Sequence, residues 1–518
     1  MSPAVNIGGM ISEPPCRLSL LALLVTAVVP AAAAEVDFGF SFSLSNRINV
    51  KENFLNTEGS VTSGPGGPRL ESPLNLRFDN TEIGYSLLLA AGARLEAGSA
   101  FSLVVNLDSG ELKYRGLSYY QPRPVCSVEP PDPRCDWMSN GRPIADEAAA
   151  TGFTRELYGT GELGRAGWVS WWAGKRRRSL GSGYLLDNYV LGGGVDFNLE
   201  RRGGLPLRLE VEGLLPNGEF NSGGKRSPLV KLEISYLLSF FEEVSLWGAW
   251  FHDGDDALGE VLLYTMADML GIYGIELLDT TSRGDFFWVG IDGNKVFERA
   301  SLFFTAAVEF GWADLGLTWT NPLTGQPQSQ AGSARMLGGM VDASFYFDLT
   351  DWFTAGAFFL FLSGETGDSA RDEVGGRYNS FVSVYPYITR TNIFFSGGMN
   401  QNFSARSFSP SGVNGRGVIA PGLSLGLDIT EKVLLRLGSA LLFSHGVNLQ
   451  AGSRFYGWET DLNLEWNIRD FVSLLFEADY LLTGGFFDFE KPLDARDGAV
   501  YTSEPDAWKI LIGLDFYL

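Results

Sequence analysis

The sequence predicts an all-β protein: a single closed antiparallel transmembrane β-barrel of about 18–20 strands, with short turns at one rim and long loops at the other. Three observations carry this expectation. An export leader is followed by no apolar run long enough for a spanning helix. Period-2 alternation recurs along the mature chain. Short and long connections follow one another in strict succession.

Residues 1–34 read as a signal peptide. Arg17 supplies the positive start, Leu18 to Val29 form a short apolar core, and Pro30 precedes the small residues 31–34. Cleavage is expected just before Glu35, which leaves 35–518 as one barrel domain. Cys16 lies before the apolar core and not at the cleavage point, so it suits no lipoprotein anchor. Glycine is abundant at 64 residues and aromatics make up 13%, yet mean hydropathy is near zero, as expected where strands alternate between lipid and water.

The alternation is clearest at the start of the mature chain. Val36, Phe38, Phe40, Phe42 and Leu44 are apolar; Asp37, Gly39, Ser41, Ser43 and Ser45 are small or polar. Such a strand offers one face to hydrocarbon and one to water. Leu207, Leu209 and Val211 alternate with Arg208, Glu210 and Glu212, and Val230, Leu232 and Ile234 alternate with Lys231, Glu233 and Ser235. The last strand carries Trp508, Ile510, Ile512, Leu514, Phe516 and Leu518 on one face, the form of a barrel assembly signal.

A soluble sandwich alternates too, so the connections decide. Short turns fall at 96–99, 164–166, 200–204, 241–242, 293–299, 349–351, 430–431 and 469–470. Long Gly-rich segments lie near 51–80, 117–152, 216–227, 252–283, 312–334, 364–378 and 484–505. This is the pattern of periplasmic turns and extracellular loops, with both termini periplasmic and an even strand number. The count is about twenty, or eighteen if the pair over 380–400 or the strand after Tyr189 is merged. Within the loops, 258–273 has helical spacing, and a short helix over the barrel mouth is expected there. Aromatic groups at Trp168, Trp171 and Trp172, at Trp247 and Trp250, and at Tyr456 and Trp458 suit interfacial girdles.

Composition narrows function. A net charge of −22 excludes a nucleic-acid partner, because no cationic surface replaces the counterions. The mature chain holds one cysteine pair, Cys126 and Cys135, for which a disulfide is expected in an oxidising compartment. With only two histidines, catalysis has few routes. Ser444 and His445 are strand neighbours, so their side chains diverge. His252 stands beside Asp253, Asp255 and Asp256, whose spacing matches no calcium loop and reads as a solvated acidic loop. No enzymatic activity, metal or cofactor is expected.

The segment 174–188 follows a Trp-rich strand and, before it, Arg155, Glu156, Leu157 and Tyr158. With Gly174, Lys175, Gly181, Gly183, Leu186 and Asp187 it resembles the alginate-export family of large porins. The resemblance covers this stretch alone. It implies an outer-membrane barrel with a charged pore, and hence a channel for small solutes or an anionic substrate. Alternatives are a barrel that sheathes a partner in a secretion or electron-transfer complex, or a barrel-embedded hydrolase. The expected partners are outer-membrane lipid, lipopolysaccharide and the barrel-assembly machinery.

Strand parity gives candidate pore-lining residues. Val169, Trp171 and Ala173 suit lipid, so Trp168, Ser170, Trp172 and, by continuation, Arg176 and Arg178 face the lumen. Arginines lining a pore attract anions. In the competing reading the basic cluster has left the membrane and binds lipopolysaccharide phosphates at the rim.

Overall fold

The structure is a computed structural model. It describes residues 36–52, 61–64, 67–70, 80–99, 101–108, 112–120, 153–163, 167–216, 227–236, 243–254, 277–320, 326–366, 377–384, 386, 388, 390–395, 398, 412, 415–447, 452–487 and 506–517. The cysteine pair and the segment 258–273 lie outside them.

Closure into a barrel removes the unpaired edges of a sheet altogether, and this sheet closes. The first strand, β1 (Val36–Glu52), pairs antiparallel with both β2 (Asn80–Ala97) and the last strand, β18 (Ala507–Tyr517). The ladder holds twenty segments. Two of them, Phe101–Asp108 and Leu112–Tyr120, lie end to end opposite β2 and form one strand, β3. A third, Arg377–Tyr378, is a two-residue parallel bridge. Eighteen strands therefore make the wall.

From β3 the wall continues through β4 (Phe153–Leu163), β5 (Val169–Leu180), β6 (Leu186–Asn198), β7 (Leu207–Leu215), β8 (Leu229–Tyr236) and β9 (Glu243–Asp253). Then come β10 (Leu277–Val296), β11 (Ala300–Thr320), β12 (Pro327–Thr350) and β13 (Phe353–Leu362). The circle is completed by β14 (Val418–Thr430), β15 (Val433–Phe443), β16 (Phe455–Arg469) and β17 (Val472–Thr483). The expected short turns that fall among the described residues, 96–99, 200–204, 293–299, 349–351, 430–431 and 469–470, lie at one rim, where β1 starts and β18 ends. One of them holds a single helical turn, Leu199–Gly203, capped by Asn198.

Eighteen, and not twenty, is the outcome for a physical reason. The strand after Tyr189 is the single strand β6, whose Gly192, Gly193 and Gly194 remain fully paired to β5 and β7. Residues 380–400 contribute no strand among the described residues. Their apolar side chains, Phe381, Val382, Ile393, Phe394 and Phe395, are buried inside the barrel.

The two faces of the wall differ as the alternation requires. Outward positions such as Phe40, Leu246, Val289, Val308, Leu337 and Leu423 are apolar and exposed, forming a surface suited to hydrocarbon. Inward positions are polar toward the turn rim, for example Ser245, Thr305 and Asp342, and apolar toward the loop rim, where Phe251, Phe286, Trp288 and Leu360 are buried. The apolar core thus sits inside the loop-side half of the barrel, under the inward segments.

Candidate functional site: the barrel lumen

Strand β5 sends alternate cations to its two faces. On the inner face, Arg178 Nη2 lies 2.9 Å from Glu210 Oε1 and 2.6 Å from Glu212 Oε1. Lys231 on β8 joins the same carboxylates, at 2.7 Å from Glu210 Oε2, and lies 2.7 Å from Glu233. Trp172 Nε1 donates to Glu212 Oε1 at 2.9 Å. Arg176 makes no ion pair among the described residues and lies over the rings of Tyr158 and Trp172, 5.0 and 5.1 Å from their centroids. Ser170 Oγ donates to Asp196 at 3.3 Å. On the other face, Arg177 holds Asp187 through two bonds of 2.7 and 2.8 Å.

Trp168 stands apart from this inner row. It precedes β5, its ring lies 6.1 Å from that of Phe197, and the guanidinium of Arg202 sits 4.5 Å above it. Phe197 pairs with the outward-facing Val169, so Trp168 belongs to the turn rim.

The glycines of the 174–188 stretch have backbone causes. Gly174 adopts φ +130°, and a Cβ there would lie 2.2 Å from the Leu157 carbonyl oxygen. Gly181 and Gly183 hold positive φ in the tight turn 181–185, and a Cβ on Gly181 would press on the Trp247 ring. That turn folds inward and buries Tyr184 and Leu185, while Leu186 opens β6 in full burial. The Lys175 backbone pairs with Leu157 and Leu191.

Among the described residues, a long inward feature is the stretch around 377–398. It is tied to the wall at several points by its own backbone. Glu309 on β11 accepts from Val382 N at 2.6 Å, and Trp288 Nε1 donates to Val382 O at 3.2 Å. Val384 N donates to Leu185 O at 2.9 Å. Further along, Arg390 pairs with Asp342 on β12, reaches Tyr184 Oη at 3.4 Å and covers the Phe358 ring. Asn392 Nδ2 donates to Asp479 at 2.8 Å. Glu459 on β16 accepts from Ile393 N and Phe394 N, the latter at 3.0 Å. The Phe394 ring packs 4.9 Å from Tyr456.

Two groups outside the strands are perturbed by this arrangement. Burial raises the Glu365 carboxyl, opposed by the Asn379 and Ser380 amides and Arg416. Burial and the neighbouring Asp342 push the Tyr184 phenol well up.

Between the inward segments and the turn-side wall lies a cavity of about 400 Å³, lined by Glu243, Asp292, Asp342, Tyr184 and Arg390 among others. Sequence reasoning missed this constellation. Parity does place Asp292, Glu309 and Glu459 on inner faces, but nothing in the linear pattern pairs them with residues 377–395.

Other candidates are not brought together. Ser444 Oγ donates to Arg454 O, whereas His445 Nδ1 lies 3.0 Å from Gly364 O with its ring against Phe361. His252 Nδ1 pairs with Asp285 at 3.0 Å, an oxygen shared with Trp250 Nε1, while Asp253 takes the Ser282 hydroxyl. No group of three metal-ligating side chains occurs among the described residues.

No protein-family profile matches the chain, and no curated protein matches it in sequence. Solved structures of similar form include Pseudomonas aeruginosa proteins of the OccK and Opd names. OccK9 (OpdG) is 13% identical, with 93% of this chain and 98% of that chain covered, at a TM-score of 0.45. OpdQ is 11% identical over 93% and 99%, at 0.46. OpdK, solved with vanillate, is 9% identical over 92% and 98%, at 0.43. At such identities and TM-scores, the fold of this chain stands on its own strand pairing.

Proposed function

We propose that this chain is a bacterial outer-membrane channel for small solutes. The observation that carries the reading is an eighteen-strand closed wall with an apolar outer face and a charged inner face. A barrel of this size encloses a lumen wider than its wall side chains fill. The inward stretch 377–395, held by wall carboxylates, narrows that lumen to a constriction.

Anionic solutes are a finer proposal, and Arg176 bears most of it. Arg178 and Lys231 face three carboxylates, Glu210, Glu212 and Glu233, which leaves little positive field for a solute. On the outward face of the same strand Arg177 is taken by Asp187, which leaves Lys175 as the cation suited to lipopolysaccharide phosphates at the rim. The Cys126–Cys135 bridge and cleavage before Glu35 remain proposals of the sequence.

A liposome-swelling assay tests the channel reading. Vesicles carrying the refolded barrel should swell in isosmotic solutions of small sugars and amino acids, and swell more slowly as solute size grows. Vesicles with folded protein that swell no faster than empty ones would overturn it.

A further inference from the structure

The cavity beneath the inward stretch carries more than a path. Its wall contributes three carboxylates from three strands: Glu243 on β9, Asp292 on β10 and Asp342 on β12. One guanidinium, Arg390, faces them, and it is already bound to Asp342 and the Tyr184 hydroxyl. The site is therefore anionic in balance. Asp342 is nine-tenths or more buried, and its Oδ1 has no hydrogen-bond partner. Oδ1 of Asp292 is likewise unpartnered. A buried carboxylate oxygen left without a donor is costly, and an ammonium or guanidinium group would supply one.

The cavity also has an aromatic side. Phe303 lines it and is 41% exposed, although its parity with Thr305 and Glu309 turns it inward to the lumen. Tyr346 meets Phe303 edge-on at 6.2 Å. An inward aromatic face beside carboxylates is the arrangement that recognises organic cations, through ring attraction to the cation and burial of its apolar part.

We propose that this cavity is a binding subsite for a small organic cation, an ammonium or guanidinium group carrying an apolar or aromatic portion. The cationic head sits between Asp292 and the free oxygen of Asp342, with Glu243 adding negative field, and the apolar portion lies on Phe303. The subsite rests on the reading of the lumen as a solute path, and it makes that path selective at its turn-side half.

Phenethylamine and phenylacetate are the probes, since they share size and ring and differ in the sign of charge. Binding is measured by calorimetry on the full-length barrel in detergent, and passage by interruption of the single-channel current in planar bilayers. Phenethylamine should bind and interrupt the current at lower concentration than phenylacetate. Asp292→Asn should weaken phenethylamine about tenfold, the loss of one charge-assisted hydrogen bond, and leave phenylacetate unchanged. Asp342→Asn should do the same or more, and Asp292→Asn keeps the test valid if the Arg390 partner proves necessary for folding. Equal binding of the two probes, tighter phenylacetate, or an Asp292→Asn protein that binds phenethylamine as the parent does would overturn the subsite. Selective binding without any channel current would leave the subsite standing and overturn the path reading instead.

Discussion

Removing the carboxylate of Glu459 should loosen the inner constriction. Glu459 is fully buried and accepts two backbone N–H groups, from Ile393 and from Phe394 at 3.0 Å. Hydrogen bonds to a charged group are worth about 1.5–3 kcal/mol each, so the gross loss in Glu459→Ala is about 3–6 kcal/mol. Part of this is offset, because the substitution also removes a buried charge and its desolvation cost. The Phe394–Tyr456 ring contact and the Asn392–Asp479 bond remain and keep some hold on the segment. A net bias of about 1.4–2.8 kcal/mol toward the released segment corresponds to a tenfold to hundredfold rise in its population. Single-channel recording reads this directly, as a larger main conductance or frequent transitions to a larger one. Glu459→Gln keeps one acceptor oxygen and should show the smaller change. A correctly folded Glu459→Ala barrel with the conductance and open-state noise of the parent would refute the reasoning.

Three further outcomes are expected. Arg47 and Asp515 form a buried bidentate pair across the β1–β18 seam, so Arg47→Ala should cost about 3–5 kcal/mol by stranding a buried carboxylate, while Arg47→Leu with Asp515→Leu should recover most of it in urea unfolding. Val308 lies exposed on the outer face of β11, and Val308→Arg should destabilise the barrel in lipid by about 2–4 kcal/mol if it sits near the midplane, with little effect in a charge-tolerant detergent. Arg176→Ala should shift the reversal potential in a salt gradient toward cation preference more than Arg178→Ala does, because only Arg178 is neutralised by ion pairs; equal shifts would contradict that assignment.

Most of the wall was legible from the sequence because lipid and water impose opposite demands on alternate residues. The turn positions among the described residues were equally legible, since a chain that must reverse within a few residues shows it locally. Two segments were not. The Gly192–Gly194 run of β6 erases the alternation signal exactly where the strand is continuous. Residues 380–400 carry apolar side chains that a periodicity reading takes for lipid-facing strands, but Phe381, Val382 and Phe394 are buried on the inner side of the wall. Burial inside a barrel and burial in a membrane look alike in composition. Parity sets Ser170, Trp172, Arg176 and Arg178 in one row of β5, whereas Trp168 precedes the strand and packs against Phe197 and Arg202 at the turn rim. Glu309 and Glu459, which hold the inward stretch, occupy inner-face positions, yet their partners are backbone amides, which leave no trace in a side-chain pattern.

The most direct test of the central claim is electrical. The purified full-length protein, shown to be folded, is added to a planar bilayer and the current is recorded at constant voltage. The account predicts discrete, steady single-channel steps, as expected of an open path through an eighteen-strand wall narrowed by its own inward segment. Insertion of folded barrels with no current would contradict it and favour a barrel that sheathes a partner.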